Sequence, residues 1–162
     1  PEIIAEVAPE AKLLTIVREP VERYRSGLKQ WQEQTRRRSL KRSEQAGKRE
    51  ALMRGYYGRQ VKRLIDALGR DKLLVLQYER CVSEPAEQFE RTLEFLGASP
   101  YLPDERLLRM RYNATVGRKD SLSARDEATL VADYEPEVAL LKELVPDIDL
   151  SLWPRFRHLE RA

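Results

Sequence analysis

Cysteine, histidine and early glycine are scarce in this sequence, and each shortage narrows the chemistry open to it. The single cysteine, Cys81, excludes an internal disulfide framework and any multi-cysteine zinc site. The single histidine, His158, leaves no material for a histidine metal cluster or triad, and beside Arg157 it reads as a surface residue rather than a general base. No glycine precedes Gly27. A Walker-type phosphate loop ahead of the first strand is thereby excluded, because such loops need glycine to bring backbone amides close to phosphate. No apolar run approaches the roughly 20 residues needed to span a bilayer. No signal peptide is visible, so a reducing, cytoplasmic setting is expected.

Net charge is also small. The 30 basic residues exceed the 27 acidic ones by only three. The excess is unevenly placed: Arg36, Arg37, Arg38, Lys41, Arg42, Lys48 and Arg49 stand against Glu44 alone in residues 36–49, on an otherwise mildly acidic body. That pattern differs from the general basicity of a nucleic-acid protein, and no nucleic-acid partner is expected. Residues 32–49 read as a basic loop, insertion or helix extension. The run is either a solvated face or a lip whose field attracts an anionic ligand. A length of 162 residues suits one domain with a real core, residues 1–162.

The informative stretch is Lys12 to Trp31. Leu13, Leu14, Ile16 and Val17 form a short apolar run, read as a buried strand. Pro20 then suits a first helical position, and Val21, Tyr24, Leu28 and Trp31 recur at helical spacing. Arg18 is thus delivered to a helix start, with Ser26 about 9 Å further along the axis. Unpaired backbone N–H groups at a helix start, an arginine fork and a serine hydroxyl together suit an anion. The alternative is an ordinary strand–helix junction whose Arg18 pairs with a surface carboxylate.

Further on, Met53, Tyr57, Val61, Leu64 and Leu68 predict one helix over 50–68, stopped by Gly69. Leu73 to Leu76 predict a second strand covered on both faces. Ser83 ahead of Pro85 predicts a capped helix with Phe89, Leu93 and Leu96 inward, ending at Gly97. Residues 106–115 are ambiguous between a short helix and an extended piece. Ser123 with Asp126 predicts a capping box opening one or two helices, with Pro136 near a break. Leu150, Leu152, Trp153 and Phe156 are expected to pack the tail onto the body. The alternation of strands and helices implies an α/β class with parallel strands and right-handed crossovers, helix-rich in its C-terminal half.

The run R-E-P-V-E-R-Y-R-S-G-L, residues 18–28, resembles the 3′-phosphate signature of sulfotransferases that use PAPS, 3′-phosphoadenosine 5′-phosphosulfate. The later run LLVLQYERCVSEPAEQFERTLEFLG resembles a second signature of the same family. The resemblance extends from about Lys12 to Trp153 and implies a P-loop-NTPase-like three-layer fold. It implies that Arg18 and Ser26 hold the 3′-phosphate and that Tyr78 contacts adenine, the alternative for Tyr78 being a core or edge aromatic. Arg118 and Lys119 would fold over the nucleotide from a late Gly-Arg-Lys loop, which otherwise reads as a solvated turn. PAPS is then the sulfuryl donor, without a metal, and the acceptor is a small molecule or carbohydrate bearing a hydroxyl or amine.

The family's first strand, its 5′-phosphosulfate loop with a catalytic lysine, and an early general base have no counterpart in these residues. The fold is therefore expected to be incomplete, and the chain, which begins with Pro1, to be the C-terminal part of a longer enzyme. The other readings are a non-catalytic nucleotide-binding module and a basic adaptor docking through residues 36–49.

Overall fold

The computed structural model describes residues 1–37, 43–110 and 122–161. In chain order its elements are α1 (Glu2–Val7), β1 (Leu13–Val17), α2 (Pro20–Arg37), α3 (Glu44–Met53), α4 (Tyr57–Leu68), β2 (Leu73–Gln77), α5 (Tyr78–Ser83), α6 (Pro85–Leu96), α7 (Glu105–Leu108) and α8 (Ala124–Leu144). Short 3₁₀ segments lie at Arg70–Lys72, Leu150–Leu152 and Pro154–Arg161. The chain divides into two units, Pro1–Arg18 with Gln60–Asn113, and Glu19–Arg59 with Ala114–Ala162.

The first unit is built on a two-stranded parallel sheet, with Leu13 opposite Leu73 and Val17 opposite Gln77. All five residues of β2 are buried, as its unbroken apolar run predicts. In β1 burial alternates instead, and Leu14 and Ile16 are 42% and 59% exposed. The expectation of a buried strand therefore holds for one face only, since successive side chains point to opposite sides of the pleat. Gly97 ends α6 in the left-handed region at φ 73°, where only glycine is unstrained, and its N–H donates to the Glu94 carbonyl. Lys12 closes the same end, donating from Nζ to the Phe95 carbonyl at 2.6 Å.

Two details of this unit depart from the sequence reading. Ser83 does not cap α6: its hydroxyl donates back to the Glu79 carbonyl and so closes α5, leaving Glu84 ahead of Pro85. On α6 the deeply buried side chain is Gln88, whereas Leu96 is 43% exposed at the last turn.

The second unit is helical. Gly47 lets α3 lie against the Trp31 ring of α2, since a Cβ there would sit 2.4 Å from it. The basic run thus begins as an extension of α2, which continues to Arg37. The single helix predicted over 50–68 is instead two. Tyr134 from α8 donates its hydroxyl to the Leu52 carbonyl at 3.0 Å, and a Cβ on Gly55 would come within 2.6 Å of the same ring. The chain turns under that ring and restarts at Tyr57, while Met53, placed on the predicted stripe, is 51% exposed. Glu137, buried on α8, accepts the Arg59 N–H at 2.9 Å and so caps the restarted helix.

Helix α8 opens with the expected cap, Ser123 accepting the Asp126 N–H at 3.1 Å. It passes through Pro136 without ending. Pro136 and Ala132 both face solvent, so water can serve the carbonyl that proline leaves without a partner. The tail packs as expected: Leu150, Trp153 and Phe156 are fully buried.

Candidate functional site

Because Val17 pairs with Gln77, the next residues, Arg18 and Tyr78, leave the carboxyl ends of neighbouring parallel strands. Ligands of open α/β sheets bind beyond those ends. The Arg18 guanidinium lies over the Tyr78 ring, 4.6 Å from its centroid, so the first unit brings two of the predicted site residues together. Tyr78 remains 37% exposed.

Directly after Arg18 the sequence reading expected a helix start with open amides, and here it needs correcting. Pro20 has no N–H to offer. Glu19 is only 3% exposed and accepts the Glu22 N–H on its own carboxylate at 2.6 Å. The Arg23 N–H is used as well, donating to the Glu19 carbonyl at 2.8 Å. A built-in carboxylate thus occupies the place where an external anion would meet the helix start. Ser26 lies on α2, half-buried, between the buried Tyr24 and Gly27. The Arg23 guanidinium runs forward along the same helix, 3.4 Å from where a Cβ on Gly27 would be.

A charged network that the sequence reading missed surrounds Glu19. Arg155, from the C-terminal 3₁₀ segment, meets Glu127 through Nε at 2.8 Å, Glu19 through Nη1 at 3.3 Å and Glu22 through Nη2 at 3.8 Å. Arg25 adds a second cation on Glu22 at 2.8 Å. Burial raises the Glu19 carboxyl above its ordinary range. The Arg155 hydrogen bond lowers Glu127. Arg155 is raised in turn, chiefly by its hydrogen bond to Glu127. No local pattern announces such a network; only the acidic residues in the first turns of α2 and α8 hint at it.

Arg118 and Lys119 lie outside the described residues. His158 is exposed and pairs with Glu135 at 2.8 Å. Among the described residues no group of three or more His, Cys, Asp or Glu could hold a metal ion, and no helix is long and apolar enough to cross a membrane.

Comparison with known proteins bears on the family and the fold. Residues 1–104 match the family model described as the sulfotransferase family. No curated protein matches. Among solved structures, the chain is similar to a crystal structure of a sulfotransferase from Alicyclobacillus acidocaldarius, at 26% sequence identity and a TM-score of 0.67. That match covers 93% of this chain and 60% of the other, so the chain spans about three-fifths of the length of the enzyme it resembles. Two parallel strands with Arg18 and Tyr78 at their carboxyl ends, in a helix-rich α/β chain whose first 104 residues match one family, lead to one assignment: the chain belongs to the sulfotransferase family.

Proposed function

We propose that the chain supplies the 3′-phosphoadenosine side of a PAPS site in a sulfotransferase that transfers a sulfuryl group to a hydroxyl or amine. The observation that carries this reading is the stacked pair of Arg18 and Tyr78 at the carboxyl ends of β1 and β2. A guanidinium fork matches phosphate oxygens, and an accessible aromatic ring suits a purine, so the residues fit the nucleotide. Arg18 and Ser26 take the 3′-phosphate, and Tyr78 takes the adenine. Arg118 and Lys119 are assigned to the phosphates on the family resemblance alone. PAPS itself, when bound, supplies the activated sulfuryl group. The residues of this chain bind and orient its nucleotide end, and such positioning dominates transfer chemistry of this kind. A small-molecule or carbohydrate acceptor and a cytoplasmic setting belong to the same proposal.

Titration calorimetry with adenosine 3′,5′-bisphosphate tests it, beside adenosine 5′-monophosphate and the variants Arg18→Ala and Ser26→Ala. Preference for the bisphosphate, lost in both variants, supports the assignment. Equal affinity for the two nucleotides removes the 3′-phosphate site.

A further inference from the structure

We propose that Arg155 is a positioning residue for this nucleotide site, holding the first turn of α2 through Glu19 and Glu22; the inference rests on the nucleotide reading above. Its three nitrogens meet three carboxylates, on Glu19, Glu22 and Glu127. Two of these belong to the opening of α2 and the third to the first turn of α8, so one side chain ties the starts of two helices to the tail. The tail end of the tie is fixed, since Trp153 and Phe156 on either side of Arg155 are fully buried.

The electrostatics say what the tie prevents. Arg155 sets a positive charge among the carboxylates of Glu19, Glu22 and Glu127, and Arg25 sets another on Glu22. Without Arg155 the three carboxylates lose one positive charge, at a junction proposed to receive phosphate. Glu19 would then be a buried carboxylate with one cation fewer beside it, a change a protein relieves by moving the group. Moving Glu19 releases the Glu22 N–H it now accepts. The displacement passes to the predicted phosphate ligands through the backbone: Arg18 is joined to Glu19 by one peptide bond, and Ser26 rides on the same helix. Arg155 and Glu127 both lie beyond residues 1–104, so neither falls within the family match.

The test titrates adenosine 3′,5′-bisphosphate and adenosine 5′-monophosphate into wild type, Arg155→Met and Glu127→Gln. For Arg155→Met the expected result is an about tenfold loss for the bisphosphate with less than about twofold for the monophosphate, as for a misplaced binding group. Glu127→Gln, which loosens Arg155 without stranding a buried charge, keeps the test open if Arg155→Met does not fold; a smaller loss with the same selectivity is expected. Equal losses for both nucleotides, or none for either, overturn the inference. Amide hydrogen exchange at Glu22 is read in the same proteins without nucleotide. It should quicken in Arg155→Met while β2 amides keep their rates, and unchanged exchange at Glu22 overturns the tie. If wild type binds neither nucleotide, the nucleotide reading fails, and the exchange result still decides whether Arg155 holds the turn.

Discussion

Arg18 and Tyr78, sixty residues apart in sequence, stack guanidinium on ring at 4.6 Å because each is the first residue beyond one of two paired parallel strands. The strand register therefore sets the cation on the aromatic, and any shift of β1 against β2 would separate them.

That relationship predicts different outcomes for two substitutions at Tyr78. Tyr78→Phe keeps a ring under Arg18 and should bind adenosine 3′,5′-bisphosphate within about threefold of wild type. Tyr78→Ala removes both the stacking surface and the arginine's rest, and should weaken binding about tenfold, in line with the 1–2 kcal/mol of a cation–π and base-stacking contact. Equal behaviour of the two variants in calorimetry would detach the ring from nucleotide binding.

The turn between α3 and α4 should be sensitive to small changes. Gly55→Ala forces a methyl into the Tyr134 ring, at a cost of about 1–3 kcal/mol. Tyr134→Phe keeps the ring but deletes the bond to the Leu52 carbonyl, costing about 1 kcal/mol. Urea unfolding of the two variants measures both, and Gly55→Ala should have the lower midpoint.

Deep burial of the tail predicts that Phe156→Ala destabilises by about 3–5 kcal/mol, the usual range for emptying a phenylalanine site in a core. An exposed residue on the same segment, Arg157, should lose no more than about 1 kcal/mol as alanine, the worth of its bond to the Ser151 carbonyl. Thermal unfolding of the pair would show whether the segment is core or ornament.

Glu19 and Glu127 should impose opposite pH dependences. Folding lowers the Glu127 carboxyl, so its stabilisation is present above the ordinary glutamate value and is lost as pH falls through the lowered one. Folding raises Glu19, so its contribution is full below the ordinary value and is lost as pH rises through the raised one. Glu127→Gln should therefore flatten the acid limb of the stability curve. Glu19→Gln should gain on wild type as pH rises through the range where Glu19 ionises. Chemical denaturation between acidic and neutral pH, with the sign of each difference followed, checks both.

Much of the frame was legible because it is written locally. The apolar runs at 13–17 and 73–77 became the two strands, Gly97 became a left-handed stop, and Ser123 became a cap. Arg18 and Tyr78, each singled out by its own family signature, lie adjacent in space. What sequence reading missed depends on partners far along the chain. An apolar stripe ran through residues 50–68 unbroken, and only the Tyr134 ring arriving from α8 explains why the helix stops there. Nothing local marks Glu19, yet its buried carboxylate accepts the Glu22 N–H at the start of α2 and meets Arg155. Charge pairing across distant segments leaves no periodicity to read.

The second unit draws its interior from residues on both sides of a long intervening stretch, and Trp153 and Phe156 are among the last parts of that interior to be synthesised. A growing chain will therefore carry Tyr57 without the Trp153 ring that packs beside it until the intervening residues have been made. Completion of this unit has to wait for a long loop to close, so folding slower than that of a locally wired helical unit is expected.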